Sequence, residues 1–334
     1  MSKRATISRS SWTGDRCTLP ATSGTSSPSC SQPSSAGSEG RATQSPPLCF
    51  FAPHARLMFS AQSLDFLLSP AASAVLVWLA TQDLSDAQTL PLLARLRRDL
   101  PPEFAAAALT LARLRQRAAS KFSRAAAMFF TADALEQASS EIVAQWRARR
   151  FAQGGYARIA DLGCGIGGDT LALAAIPGVT VIGLDRDPLR LRLARANLQA
   201  YGRSADFLCA DLRDPLPLAD VPAAFFDPAR REAGRRIFSV RDYVPPLDII
   251  RSWPFAALAV KLSPGASLDE LRPYLEAGAG LEFVSADGEL KEAVLWSGEL
   301  AFAGRRASRA DAGETLHPTC APPPPLSAPR AWLL

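Results

Sequence analysis

The sequence has few of the residues that build metal centres and disulfide-bonded folds. Its 334 residues include two histidines and six cysteines, and the cysteines, at positions 17, 30, 49, 164, 209 and 320, never have the C-x-x-C spacing. A zinc site needs clustered cysteine and histidine ligands, and a small secreted fold needs regularly spaced cysteines. We therefore predict no metal ion and no disulfide framework, a pattern that suits the reducing cytoplasm. We expect Cys164 and Cys209 to be small buried residues.

Long apolar runs are also missing. The longest candidate, residues 71–80, is much shorter than the roughly 20 apolar residues that cross a bilayer. The apolar share of 48% and the charged share of 21% are ordinary for a folded globular chain. We predict no membrane partner, and the sequence leaves the oligomeric state open.

The formal net charge of +5 is unevenly distributed, since residues 1–57 carry +4 of it. Nucleic-acid binding must therefore rest on local patches and not on the overall charge. One such patch is a stripe at helical spacing, formed by Arg113, Arg117, Lys121 and Arg124. This stripe is either an RNA phosphate contact or a solvated helix face.

Composition divides the chain into four predicted segments. Residues 1–57 are rich in Ser, Thr, Pro and Gly without hydrophobic period, which predicts disorder; they read as an extension upstream of Met58, or less well as a transit peptide. Residues 58–152 have helical periodicity, with one long helix expected from Leu135 to Arg150. Residues 153–310 alternate strands and helices, and residues 311–334 are proline-rich.

The most informative stretch runs from Arg158 to Thr170, a short apolar strand followed by a glycine-dense turn and a helix start. Its glycines allow a tight turn and close ligand approach. The spacing of Gly163, Gly165 and Gly168 also fits the dinucleotide fingerprint G-x-G-x-x-G. However, Asp161 lies two residues before the first glycine, where a carboxylate would repel phosphates and favour a cationic ligand.

This stretch resembles motif I of the class I S-adenosylmethionine-dependent methyltransferases, an acid followed by alternate glycines, here Asp161, Gly163, Gly165 and Gly167. The resemblance implies an α/β fold: a Rossmann-like, doubly wound, mostly parallel sheet with an antiparallel C-terminal hairpin. It also implies S-adenosyl-L-methionine as cofactor. Asp185 follows the second predicted strand, where an acid can bind ribose hydroxyls. Asp211 follows the third, a position that in the resemblance pairs with the adenine amino group.

The candidate catalytic segment is Asp227-Pro228-Ala229-Arg230-Arg231, after the apolar strand 223–226. In the methyltransferase resemblance this segment corresponds to motif IV, where enzymes that methylate nitrogen often carry Asp/Asn-Pro-Pro-aromatic. Here Ala229 replaces the second proline and Arg230 replaces the aromatic residue. Asp227 can orient an acceptor N–H and take its proton, and the arginines can hold a phosphate. We therefore predict Asp227, Pro228 and Arg230 as catalytic.

A second resemblance lies upstream, in residues 128–131, Met-Phe-Phe-Thr. A Lys-Phe pair, this segment and a helix running into motif I are similar to the layout of the trimethylguanosine synthases. They are closer to a bacterial methyltransferase family with a THUMP-like C-terminal domain, in which this segment folds over the cofactor. Phe129 and Thr131 are therefore predicted cofactor contacts, unless the aromatic pair only packs the helical module on the sheet. By this resemblance we expect the chain to stop before such a domain.

The function predicted from the sequence is methyl transfer from S-adenosylmethionine to RNA, with a base nitrogen favoured. RNA enters through the family resemblance alone. Two alternatives stay open: an NAD-dependent oxidoreductase, and a non-catalytic, cofactor-binding RNA adaptor. The first would need a histidine, lysine or tyrosine at the nicotinamide, yet His54 and His317 both lie outside the predicted core.

Overall fold

The structure is a computed structural model, and it describes four ranges of the chain: 59–229, 231–232, 235–236 and 238–317. Of residues 231–236 only parts of the backbone are described. The predicted disordered segment 1–57, most of the proline-rich segment and Arg230 lie outside the described residues. Predictions made for them therefore stay predictions.

The first part of the described chain is helical, as the periodicity predicts. Its α-helices are α1 (Ala61–Leu67), α2 (Pro70–Ala80), α3 (Thr89–Leu96), α4 (Pro102–Ala118), α5 (Ala132–Gln137) and α6 (Glu141–Gly154). The hydroxyls of Ser60 and Ser69 accept hydrogen bonds from the free N–H groups at the starts of α1 and α2. Pro70 and Pro102 occupy first helical positions, which need no N–H donor.

The single long helix expected from Leu135 to Arg150 is wrong. The chain leaves α5 at Ala138, which has an extended backbone with ψ of 136°, and α6 begins after Ser140. Between the two helices the buried hydroxyl of Ser139 accepts a hydrogen bond from Arg147 and donates one to Asp169, at 2.9 and 3.3 Å. The break therefore turns a polar side chain inward, which a continuous surface helix would not do.

The second part of the described chain alternates strands and helices. Its strands are β1 (Arg158–Leu162), β2 (Thr180–Asp185), β3 (Asp206–Cys209), β4 (Ala223–Phe226), β5 (Arg231–Glu232), β6 (Arg235–Arg236), β7 (Ala257–Leu262), β8 (Gly280–Ala286), β9 (Glu289–Gly298), β10 (Arg305–Arg309) and β11 (Glu314–Leu316). Its α-helices are α7 (Gly168–Leu173), α8 (Pro188–Ala200) and α9 (Leu268–Glu276).

Nine of these strands form one sheet in the order β11-β10-β8-β9-β7-β4-β1-β2-β3. β3, β2, β1, β4 and β7 are parallel to one another, whereas β9 runs antiparallel between β7 and β8. The predicted fold class is confirmed, including the antiparallel hairpin. The sequence did not predict β10 and β11, because charged residues and prolines dominate that part of the chain. It also did not predict the small hairpin of β5 and β6.

Both faces of the sheet are covered, which explains why its central strands are mostly apolar. In β4, Ala223 and Phe225 join one buried cluster while Ala224 and Phe226 join another, because successive side chains point to opposite faces. A third cluster joins the helical part to Ile166 and Leu171, beside the glycine turn. Packing thus fixes the turn against its neighbours.

In the part of the chain that the structure describes, no helix taken alone has the length and apolarity to cross a membrane. The helices α1 and α2 pass that test only as a pair, and they are bent by 74° relative to each other.

Candidate active site

A cavity of about 720 Å³ opens at the carboxyl ends of the parallel strands. The order of the sheet reverses at β1, which has β2 on one side and β4 on the other. Such a switch point is where α/β sheets bind ligands. Nine acids and six bases line the cavity: Asp133, Glu136, Asp169, Asp185, Asp187, Asp211, Asp227, Asp287 and Glu292, with Lys121, Arg186, Arg190, Arg213, Lys261 and Lys291. The acidic surplus favours a cationic ligand.

The three glycines of the motif have different structural roles. All have positive φ, at 84° for Gly163, 55° for Gly165 and 82° for Gly167. A Cβ on Gly163 would lie 2.7 Å from the carbonyl oxygen of Asp227, whereas a Cβ on Gly165 would meet nothing within 4 Å. Gly167 packs against Ala194 of α8 and does not line the cavity. Gly163 therefore lets the turn touch the candidate catalytic segment, and Gly165 leaves space for a ligand.

Asp161 is fully buried below the turn and is not part of the cavity wall. Thr170 Oγ1 donates to its Oδ2 at 2.5 Å, but its Oδ1 has no hydrogen-bond partner among the described residues. Burial, helped by the negative charge of Asp169, raises the pKa of Asp161 to about 8. An unsatisfied buried carboxyl oxygen beside a ligand-sized space fits a group that supplies a positive charge.

Asp185 lines the cavity and is held by backbone groups. The N–H of Gly165 donates to its Oδ2, and the N–H of Asp187 donates to its Oδ1, both at 2.9 Å. A carboxylate offers about four acceptor positions, so roughly two stay available for ribose hydroxyls. The position of Asp185 agrees with the predicted role, which itself stays a prediction.

Asp211 also lines the cavity, at its more exposed edge. Arg213 Nε and Nη2 donate to its two oxygens at 2.9 and 2.6 Å. These hydrogen bonds hold the pKa of Asp211 well below its usual range. The predicted contact with an adenine amino group would have to use the acceptor positions that Arg213 leaves.

Asp227 and Pro228 lie on the cavity wall, directly after β4. Lys261 Nζ donates to Asp227 Oδ2 at 2.6 Å, and the side chain of Lys261 is 5% exposed. A lysine at the end of a strand beside the cavity could contact a phosphate or extend into solvent. The structure shows neither, because the lysine is buried and paired with the candidate catalytic carboxylate.

The segment after Pro228 departs from the Pro-Pro pattern for a visible reason. The N–H of Ala229 donates to the carbonyl of Val244 at 3.1 Å, and the Val244 N–H donates back at 3.1 Å. A proline at 229 would remove one of these two bonds. Arg230 lies outside the described residues, and the side chain of Arg231 is not described, so their predicted phosphate contact stays a prediction.

Phe129 and Thr131 do not line the cavity. The N–H of Phe129 donates to Asn197 of α8 at 2.7 Å, and Thr131 Oγ1 caps α5 by accepting from the Ala134 N–H at 3.2 Å. The part of this segment that reaches the cavity comes next, in residues 133–140. The geometry gives Phe129 and Thr131 packing and capping roles; direct contact with a cofactor stays a prediction.

A buried network of charged side chains, which the sequence did not predict, lies below the cavity. Arg147 on α6 forms ion pairs with Asp169 at the start of α7 and with Glu292 on β9. Burial opposes the charge of Arg147, but Asp169 and Glu292 more than offset it and raise its pKa. Both acids also line the cavity. Only Asp169 carried a sequence signal, since it directly follows the glycine turn.

The predicted basic stripe is largely engaged within the protein, and only its first two residues, Arg113 and Arg117, lie on α4, which ends at Ala118. Arg113 donates to the carbonyls of Leu84 and Ser85, and Arg124 donates to the carbonyl of Ala200. Lys121 donates to carbonyls at the end of α5. These contacts favour a structural role for most of the stripe and weaken it as an RNA surface.

Cys164 and Cys209 were both expected to be small buried residues. Cys164 is buried, and burial raises the pKa of its thiol well above the ordinary value. Cys209 is exposed, so that half of the expectation is wrong. β3 lies at the edge of the sheet, which explains the exposure.

Comparison with known proteins agrees with the geometry. Residues 159–227 match the sequence model of a methyltransferase domain, and residues 60–118 match that of a domain of unknown function. A crystal structure of a candidate methyltransferase from Porphyromonas gingivalis W83 has a TM-score of 0.57 and 24% identity, covering 74% of this chain and 60% of that one. At this identity the likeness shows the fold.

Two relatives are proteins of Mycobacterium tuberculosis, from strains CDC 1551 and H37Rv, each described as an uncharacterized S-adenosylmethionine-dependent methyltransferase. Each is 38% identical over 213 residues, which is 61% of this chain and 57% of the relative. The chain thus spans a little over half the length of these relatives. The resemblances to the THUMP-like and trimethylguanosine synthase families stay predictions. The comparisons with known proteins support the class that the sequence predicts, a class I methyltransferase that uses S-adenosylmethionine.

Proposed function

We propose that the chain transfers a methyl group from S-adenosylmethionine to a nitrogen atom of an RNA base, with Asp227 orienting the acceptor. One observation carries this proposal: the backbone of Asp227 meets Gly163, at 2.7 Å from where a Cβ would stand. The glycine turn and the candidate catalytic carboxylate therefore wall the same cavity. Donor and acceptor sites so placed can hold two reactants in one geometry.

The donor side fits a cationic nucleoside. Among the residues that the structure describes, one buried oxygen of Asp161 has no hydrogen-bond partner, and Asp185 keeps acceptor positions for ribose hydroxyls. Gly165 leaves the backbone open to a ligand. When bound, S-adenosylmethionine supplies an electrophilic methyl group on a sulfonium, whose sulfur keeps the electron pair of the broken bond.

The residues on the acceptor side have little chemistry to perform beyond positioning. Asp227 accepts the N–H of the acceptor, which directs the nitrogen lone pair into the cavity, and it takes the proton as the new N–C bond forms. Holding two reactants in line in this way contributes about 7–11 kcal/mol to such reactions. This is why a single carboxylate at the end of β4 suffices for the proposed role.

The wall around Asp227 suits a flat acceptor. Its apolar members are Pro228, Ala229, Val244, Pro245, Pro264 and Leu290. Rigid apolar surfaces around one hydrogen-bonding group are typical of sites for planar ring systems. A base extruded from a single strand has such a shape, so RNA is our proposed substrate class.

The test is a labelled-methyl assay with the full chain, bacterial total RNA and, separately, total protein. We expect label in RNA, and we expect Asp227→Asn to reduce it at least about 100-fold, the usual contribution of a proton acceptor. The variant should keep its affinity for S-adenosylhomocysteine in calorimetry. Label in protein but not in RNA would contradict the substrate class.

The same calorimetry addresses the two alternatives. An NAD-dependent oxidoreductase would bind NAD in preference to S-adenosylhomocysteine. A non-catalytic adaptor would bind S-adenosylhomocysteine but label no RNA with either the wild type or the variant.

A further inference from the structure

The pair formed by Asp227 and Lys261 is built into the sheet. In the register of β4 and β7, Phe226 lies opposite Val260, which places Asp227 beside Lys261. The ammonium group of Lys261 lies 2.6 Å from Asp227 Oδ2; the side chain of Lys261 is 5% exposed and that of Asp227 is 21% exposed. Because adjacent strands fix both backbones, the pair does not depend on flexible side chains finding each other.

Lys261 has a second contact, on the helical side of the cavity. Its Nζ lies 3.5 Å from the carbonyl oxygen of Gln137, at the end of α5. Lys121 Nζ donates to the neighbouring carbonyls of Leu135 and Ala138 at 2.8 and 3.0 Å. The C-terminal carbonyls of α5 thus face two lysines, and Lys261 connects them to the candidate catalytic carboxylate.

We infer that Lys261 is a positioning residue that holds Asp227 Oδ2, compensates its charge and leaves Oδ1 to the acceptor. This inference rests on the proposed function and names a further residue for it. A half-buried carboxylate with a paired cation has no net charge as a pair, so Asp227 and Lys261 together add none to the acceptor side of the cavity. A neutral acceptor then enters without competition from the cationic donor for Asp227.

The consequence can be measured without knowing the acceptor. S-adenosylmethionine carries a positive charge at sulfur, and S-adenosylhomocysteine does not, although the rest of the two ligands is nearly the same. The ratio of their affinities therefore reports the electrical potential of the cavity. If Lys261 compensates Asp227, then removing either partner must change this ratio, and in opposite directions.

Calorimetry with S-adenosylmethionine and S-adenosylhomocysteine tests this on four forms of the full chain. Relative to wild type, Lys261→Met should shift the ratio toward S-adenosylmethionine by roughly three- to tenfold, and Asp227→Asn should shift it away by a similar factor. The double variant should return to the wild-type ratio. Lys261→Arg, which keeps the charge, is the matched control and should also match wild type.

Ratios within about twofold of wild type in both single variants would overturn the inference, since a unit charge near the ligand has a larger effect. If Lys261→Met does not fold, Lys261→Gln, which also removes the charge, takes its place in the same comparison. If wild type binds neither ligand, the proposed function itself has failed, and that outcome differs from an unchanged ratio.

A second readout uses turnover on total RNA. In Lys261→Ala, added ethylammonium should restore methyl labelling of RNA at the site that the wild type labels, because the small cation can replace the missing ammonium group. Sodium chloride at the same ionic strength should not. Equal effects of the two salts would mean that Lys261 serves only to pack β7.

Discussion

The two halves of the cavity hold their carboxylates by different means. On the donor half, around β1 and β2, Asp161 accepts a hydroxyl of Thr170 and Asp185 accepts two backbone N–H groups. On the acceptor half, around β4, β7 and β9, Asp227 pairs with Lys261 and Glu292 pairs with Arg147. Asp161 and Asp185 are thus held by neutral donors, and Asp227 and Glu292 by full positive charges, whereas Asp211 at the exposed edge beside β3 pairs with Arg213.

The difference separates two electrostatic tasks. Neutral donors stabilise a carboxylate without cancelling its charge, so the donor half gains a negative potential when a bound cation ionises Asp161. Lysine and arginine cancel the charges beside them, so the acceptor half is nearly neutral. A transfer from a cation to a neutral acceptor needs such a contrast within one cavity.

Arg147 belongs to both halves, and its removal should have the largest effect. It pairs with Asp169 next to the glycine turn and with Glu292 on β9, and it is 2% exposed. Arg147→Met would leave two buried carboxylates without their cation. We expect a loss of about 3–5 kcal/mol in the free energy of unfolding, measured by urea denaturation.

Arg149→Met is the matched control, because Arg149 lies on the same helix, is exposed and stacks on Trp146 at 5.6 Å. It should change stability little. Similar losses in both variants would mean that the Arg147 network has no special part in joining the two halves.

Gly163→Ala should have a smaller effect on stability but should remove the contact between the halves. Its φ of 84° is unfavourable for alanine, and the added Cβ would stand 2.7 Å from the carbonyl oxygen of Asp227. We expect a cost of about 2 kcal/mol and at least tenfold weaker binding of S-adenosylhomocysteine. Thermal unfolding and calorimetry measure the two effects.

Gly202→Ala separates backbone strain from the contact, since Gly202 has a φ of 65° and no atom within 4 Å of a built Cβ. It should lose stability but keep binding. Normal binding in Gly163→Ala would show that the turn tolerates displacement from β4.

The donor half was predictable because its residues are close together in sequence. The acid and the glycines of the motif span Asp161 to Gly167, and the following acids stand at strand ends that periodicity locates. The acceptor half depends on strand pairing: Lys261 reaches Asp227 from 34 residues away, and Glu292 reaches Arg147 from 145 residues away. No local pattern indicates such partners.

The errors in the helical part have a related cause. Residues 135–150 have helical periodicity, yet the chain breaks at Ser139 because its hydroxyl completes the network of Arg147 and Asp169. The basic stripe was predicted from the spacing of its residues alone, whereas carbonyl groups of distant segments decide what its side chains contact. In both places contacts with distant residues outweighed the local sequence pattern.

The finest test of the contrast between the halves is the titration of Asp161. Burial and the charge of Asp169 raise its pKa to about 8 in the folded chain, from about 3.9 when unfolded. At pH values between these two pKa values, Asp161 keeps a proton in the folded state that it has lost in the unfolded state. The free energy of unfolding should therefore fall as pH rises, by up to about 1.4 kcal/mol per pH unit. Asp161→Asn should remove this decrease in urea denaturation from pH 5 to 8.

Asp211→Asn should keep the wild-type slope, because Arg213 holds the pKa of Asp211 below this window. Parallel curves for wild type and Asp161→Asn would mean that Asp161 is ionised in the folded chain, and that the donor half is negative even before a cation binds.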